Sequence, residues 1–124
     1  MVAASIIHEH LHQKLYLLQQ RFELFPPQET LIFSPWPNLY RPPVGAVHAV
    51  YVFTHVANFW NAMLKQEKVK ETSEYELDIT LKRLGQCIHD IDKNVTFTQT
   101  GQLFFNCLLE EYGQLLEQSV LQNV

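Results

Sequence analysis

Two histidines one helical turn apart lie near the start of the chain, in the stretch His8-Glu9-His10-Leu11-His12. If this stretch is helical, His8 and His12 lie on the same face, and their imidazole nitrogens have the spacing needed to share a zinc ion. The carboxylate of Glu9 would then activate a metal-bound water. These residue types at this spacing indicate metal-assisted hydrolysis as a first hypothesis.

The stretch resembles the H-E-x-x-H signature of zincin metalloproteases over these five residues. The resemblance implies an apolar helix face beside the histidines and a third metal ligand. Lys14 stands where the signature prefers an apolar residue, and Glu23 lies too far along the same helix axis to complete the site. We therefore predict a solvated helix face with no bound metal and no cofactor, and keep His8 and His12 only as candidate metal ligands.

The remaining histidines offer a second way to build a metal site. His48 and His55 are spaced to share one helix face, and His89 lies one turn before Asp92. Metal sites in helical bundles draw histidines and carboxylates from facing helices. Because the second predicted helix has no carboxylate before Glu67, at its very end, and the fourth has no histidine, we interpret these histidines as structural.

A second pattern, an arginine followed several residues later by a histidine, occurs at Arg83 to His89 and at Arg41 to His48. It resembles the active-site signature of HEPN ribonucleases, which are small helical bundles that act as dimers. The resemblance implies RNA cleavage, with His89 as acid or base and Arg83 holding a phosphate. The apolar Leu84 stands where that signature has a polar residue, so ribonuclease activity is kept as an alternative function and no catalytic residue is assigned.

The charge balance bears on nucleic-acid binding. The chain has 9 basic and 13 acidic residues and a formal net charge of −4, whereas free-standing nucleic-acid binders are usually basic. Basic side chains nevertheless gather around one predicted turn. They define a second alternative, a small helical subunit of a nucleoprotein effector complex that contacts the nucleic-acid backbone through Lys65, Lys68, Lys70, Lys82 and Arg83.

A proline-rich segment separates the first two predicted helices. All 6 prolines of the chain lie between Pro26 and Pro43, and proline fixes φ and removes a hydrogen-bond donor. We predict an irregular or polyproline-like connection over residues 26–43. Its aromatic residues Phe33, Trp36 and Tyr40 are of the types that anchor interfaces, so the segment is either a packed strap or a partner-binding segment.

Apolar residues recur at spacings of three and four along four stretches, which predicts four helices. Ser73 and Glu76 form a capping box that opens the third helix, and Asn94 is its stop signal. Thr98 or Thr100 caps the fourth. The first, second and fourth helices are predicted at about Ala3–Phe25, Gly45–Lys68 and Gln99–Gln122.

These elements predict an all-α fold, a single domain over residues 1–124 built as a bundle of about four main helices. Residues 44–64 contain no formally charged side chain and are numerous enough to span a membrane. Four polar residues along that stretch, His48, His55, Asn58 and Asn61, indicate a buried bundle helix instead, so no membrane association is expected. Cys87 and Cys107 lack metal or redox spacing and predict two buried thiols in the cytoplasm.

The function predicted from these observations is a non-enzymatic protein-interaction module, a small helical subunit or adaptor of a larger assembly. The broad apolar stripes predicted on the second and fourth helices exceed what four helices hide, which favours another protein or a second copy as partner. Phe33, Trp36 and Tyr40 are the predicted partner-binding residues.

Overall fold

The computed structural model describes residues 13–36 and 38–122. Within them lie four helices and one two-stranded antiparallel sheet, so the predicted all-α bundle is confirmed. The helices are α1 (residues 13–21), α2 (Pro43–Met63), α3 (Lys70–Asn94) and α4 (Gln99–Gln122). A single 3-10 turn, Glu67–Val69, precedes α3, and the strands are β1 (Ile32–Ser34) and β2 (Leu39–Arg41).

Helix α2 lies at the centre of the core and packs against both α3 and α4. No residue between Pro43 and Met63 carries a formal charge, and Ala46, Val50 and Ala57 are fully buried. Small side chains at these positions let neighbouring elements approach closely, which favours dense packing. The helix is buried along its length, as predicted, and no helix in the described part of the chain is long and apolar enough to cross a membrane.

Helix α3 presents one apolar stripe to this core. Its side chains recur at spacings of three and four and are at most 7% exposed, as the periodicity predicts. The stripe consists of Leu77, Leu81, Leu84, Ile88 and Ile91. The helix ends at Asn94, the predicted stop.

The predicted start of α3 is wrong. The helix begins at Lys70, and Ser73 lies inside it, where its hydroxyl donates to the carbonyl of Val69 at 2.7 Å. The 3-10 turn explains the difference, because the carbonyl of Glu67 accepts a hydrogen bond from the Lys70 N–H. The first turn of α3 therefore continues from a preceding helical turn and needs no capping box.

The predicted ends of the first two helices are also too late. Helix α1 ends at residue 21, although the spacing predicts continuation to Phe25. Helix α2 ends at Met63, short of the predicted Lys68, because its last turn tightens: the N–H of Leu64 donates to the carbonyl of Asn61, three residues back. The part of the first predicted helix before residue 13 lies outside the described residues.

The segment after α1 is fastened to the start of α4. Thr98 caps α4, since its hydroxyl oxygen accepts a hydrogen bond from the Gly101 N–H at 3.0 Å, as one of the two predicted caps. The Thr98 hydroxyl and N–H also donate to the carbonyls of Glu23 and Leu24. The two carbonyls thus hold the segment after α1 at the α4 cap, and Pro26 disfavours helical geometry at Phe25.

The prediction for residues 26–43 needs a correction, because a β-hairpin lies within the proline-rich connection. Ile32, Phe33 and Ser34 pair with Arg41, Tyr40 and Leu39, respectively. The turn uses Asn38 at φ 58°, a left-handed conformation that asparagine tolerates better than most residues. Each strand has only three residues, so the alternation of polar and apolar side chains is too short to signal a strand.

Candidate functional site

The outward side of the hairpin is apolar. Ile32 and Ser34 are 1% and 0% exposed, so that side of β1 packs into the protein. Phe33 and Tyr40 lie on the opposite side, because strand side chains alternate. We define the hairpin face as Leu31, Phe33, Tyr40 and Pro42. Leu31 and Pro42 lie directly beyond the paired residues Ile32 and Arg41, at the open end of the hairpin.

Exposure distinguishes the hairpin face from an ordinary strand surface. Tyr40 is 67% and Leu31 is 61% exposed, and Pro42 is also exposed, whereas Phe33 is half-buried. A hairpin with one face on the core usually carries polar side chains on the other. Here all four side chains are uncharged, and the only polar group among them is the Tyr40 hydroxyl.

Three contacts hold this surface in place. The Phe33 and Tyr40 rings meet edge to face, with their centroids 5.4 Å apart. Trp36, in the turn, stacks on Phe53 of α2 with a centroid distance of 4.2 Å and an interplanar angle of 2°. Ile32 anchors β1 in the core. The hairpin face is therefore a preformed surface on the helical bundle.

The three predicted partner-binding residues lie in this hairpin but in different settings. Tyr40 and Phe33 belong to the hairpin face, whereas Trp36 is half-buried against α2. The sequence prediction missed Leu31 and Pro42. The alternation of strand side chains could have indicated them. Leu31 lies two residues before Phe33, and Pro42 lies two residues after Tyr40, so each shares a strand side with a predicted aromatic.

Outside the hairpin, the second and fourth helices leave few large apolar side chains exposed. On α2, only Val44 is a large apolar residue that is exposed, and on the described side chains of α4 only Leu103 and Leu116 are. Tyr16 and Leu17 of α1 are each 61% exposed. Packing within the bundle thus covers most of the described part of both stripes, which corrects the expectation that they exceed what four helices hide. The exposed apolar surface lies chiefly on the hairpin and α1.

The Arg83–His89 pair does not form a compact site on α3. Arg83 and His89 are both exposed on α3, and a six-residue step places them roughly 120° apart around the helix axis. Arg41 is half-buried in β2, where its side chain packs beside Gly45, and His48 is half-buried in α2.

The basic patch is exposed but not basic overall. Lys65, Lys68, Lys70, Lys82 and Arg83 are all exposed, and Lys82 pairs with Asp78 at 2.9 Å. Residues 65–83 hold these 5 basic residues and also 5 acidic ones, so their formal charges cancel, 5 − 5 = 0. The acidic residues, all exposed, are Glu67, Glu71, Glu74, Glu76 and Asp78.

The half-buried His55 belongs to a cluster of rings between α2 and α4. The Tyr51 ring meets the His55 ring at 5.2 Å and the Phe104 ring at 5.5 Å. Burial and then the negative charge of Glu111 raise the pKa of Tyr51, which makes its phenol a poor acid near neutral pH. In the described part of the chain, no three His, Cys, Asp or Glu side chains are grouped to hold a metal ion. His8 and His12 lie outside the described residues.

The two cysteines differ, which corrects the prediction of two buried thiols. Cys87 is buried in the core, whereas Cys107 is exposed on α4. Burial, with a contribution from the charge of Asp90, raises the pKa of Cys87 to about 12. Cys87 lies on the side of α3 that packs against α2, and its sulfur is 4.0 Å from the carbonyl oxygen of Ala46.

This difference predicts selective thiol chemistry. A disulfide-exchange reagent at about pH 8 should label Cys107 in the folded protein and reach Cys87 only after unfolding. The pKa of Cys87 is higher in the folded than in the unfolded state, so the folded state holds the thiol proton more tightly. The free energy of unfolding should therefore fall as pH rises from about 9.0 to about 12. Mass spectrometry of the labelled protein checks the first expectation, and equal labelling of both thiols would contradict it.

A comparison with known protein-family models found none that matches this chain, and a comparison with curated proteins found no similar one.

Proposed function

We propose that this chain is a non-enzymatic protein-interaction module, a small helical subunit or adaptor of a larger assembly, which binds another protein or a second copy through the hairpin face. The observation that carries this proposal is the uncharged outward side of the hairpin, with Tyr40 67% exposed. A cytoplasmic location belongs to the same proposal. The exposed free thiol of Cys107 supports it, because thiols persist in reducing compartments.

The energetics of the hairpin face suit an interface. Burial of apolar surface contributes about 25 cal/mol per Å², and tyrosine combines a large apolar ring with a hydroxyl donor. The edge-to-face contact with Phe33 already orients the Tyr40 ring. Binding therefore restricts few further side-chain torsions on the hairpin face, which lowers the entropic cost of association.

The alternative functions draw less support from the geometry. The divergent positions of Arg83 and His89 around α3 do not favour a ribonuclease site on that helix. The cancelling charges of residues 65–83 do not favour a phosphate-contacting surface, because nucleic-acid binding depends on clustered positive charge. Both alternatives stay predictions, and both are outcomes of the test below.

Native mass spectrometry of the untagged protein, purified from its own source, tests the proposal. We expect a stable complex that contains a second copy or another protein. Tyr40→Ser should abolish this complex, since it removes the most exposed ring of the hairpin face. Tyr75→Ser is the matched control: Tyr75 is 58% exposed near the start of α3 and is not part of the hairpin face, so its replacement should leave the complex intact.

Several outcomes would contradict the proposal. A monomer without a partner would do so, as would a complex that survives Tyr40→Ser. Cleavage of RNA by the wild-type protein that is lost in His89→Ala would establish the ribonuclease alternative. Retained nucleic acid that salt displaces, and that neutral replacements of Lys65 and Lys70 weaken, would establish the nucleoprotein alternative.

A further inference from the structure

A cleft of about 450 Å³ opens where α2 has ended, α3 begins and α4 passes beside both. The hairpin contributes no residue to it, so it is separate from the hairpin face. Its volume lies within the range of about 300–1,000 Å³ that small-molecule sites occupy. Seven residues line it: Leu64, Lys65, Lys70, Glu74, Leu77, Asp78 and Ser119.

The walls of this cleft belong to the packed part of the fold. The side-chain amide of Asn61, in the last turn of α2, donates to the side-chain oxygen of Gln118 on α4 at 2.7 Å. This bond holds α4 against α2 beside Ser119. The lining also has an apolar part, since Leu77 is 4% exposed and Leu64 is half-buried.

The charges that line the cleft are of both signs. Lys70, Glu74 and Asp78 follow one another along α3 at one-turn intervals, which are about 6 Å each. Asp78 is already paired with Lys82, the one ion pair between side chains of the described residues. Lys65 and Lys70 therefore offer unpaired ammonium groups, and Glu74 offers an unpaired carboxylate one turn away.

This arrangement selects among ligand classes. A phosphate backbone attracted by the two lysines would meet the carboxylates of Glu74 and Asp78 in the same cleft. A molecule with one negative and one positive group about a helical turn apart satisfies both signs. Two extended residues span at most about 7 Å, which matches this separation.

We propose that the cleft binds a small zwitterion of the dipeptide class. Its carboxylate lies between the ammonium groups of Lys65 and Lys70, its ammonium group contacts Glu74, and an apolar side chain covers Leu64 and Leu77. The lysines and Glu74 favour a ligand with one charge of each sign at its ends, and Leu64 and Leu77 favour an apolar side chain between them.

Nuclear magnetic resonance of the ¹⁵N-labelled full chain tests this site, with the dipeptide Ala-Leu as the probe. We expect saturable shifts of the backbone amides of Lys70, Glu74 and Ser119. Glu74→Gln should weaken binding about tenfold, because it removes the partner of the ligand's ammonium group. Glu71→Gln is the matched control, since Glu71 is exposed in the first turn of α3 but does not line the cleft.

Three results would overturn the proposal. The first is the absence of saturable shifts. The second is equal binding of acetyl-Ala-Leu-amide, which lacks both terminal charges. The third is a response to inorganic phosphate that matches the response to the dipeptide, which would reduce the cleft to an anion site. Each result is independent of the hairpin face, where Tyr40→Ser tests the proposed function.

Discussion

Gly101→Ala is expected to lower the free energy of unfolding by about 3 kcal/mol or more. A Cβ at position 101 would overlap the carbonyl oxygen of Leu24 and approach two further backbone atoms of that residue. Backbone atoms cannot turn aside as a side-chain end can. The same stretch is held by the hydrogen bonds from Thr98 to the carbonyls of Glu23 and Leu24.

Gly113→Ala is the matched control on the same helix. Apart from the chain neighbours and the backbone of α4 itself, no heavy atom lies within 4 Å of a Cβ added at Gly113. Alanine favours helix over glycine by about 0.8–1.0 kcal/mol, so this variant should be more stable than the wild type. Urea unfolding followed by circular dichroism measures both variants, and equal effects of the same sign would contradict the close packing of residue 24 on α4.

Phe105→Ala is expected to destabilise the protein by about 3–5 kcal/mol. Phe105 is fully buried, and its ring stacks on Phe97 with a centroid distance of 5.0 Å. Phe97 in turn contacts Phe25 at 5.5 Å, so the three rings join the segment after α1 to the core. Loss of the Phe105 ring leaves a cavity in the core and removes the stacking partner of Phe97.

Leu103→Ala serves as the control for this substitution. Leu103 is 62% exposed two residues earlier on α4, and its replacement should change stability by no more than about 0.5 kcal/mol. The same urea experiment applies. A loss below about 1 kcal/mol for Phe105→Ala would show that the three rings do not form one packed unit.

For the candidate site, sequence reasoning identifies the aromatic types but not their settings. Phe33 and Tyr40 are predicted together with Trp36, and only the pairing of β1 with β2 places the first two on one outward side. The stack of Trp36 on Phe53 is invisible in the sequence, because the partners come from separate elements. Exposure depends on such long-range contacts, which local patterns do not encode.

The helical class, the apolar stripe of α3 and the burial of α2 could be predicted from the sequence, and the α4 cap could be narrowed to Thr98 or Thr100. Each of these depends on residues within a few positions of one another, where helical periodicity and capping chemistry act. The short hairpin, the early end of α1 and the start of α3 at Lys70 are visible only in the folded chain. The segment after α1 bonds to the distant Thr98 through the carbonyls of Glu23 and Leu24. The start of α3 instead depends on the 3-10 turn directly before it, which the capping-box pattern does not reveal.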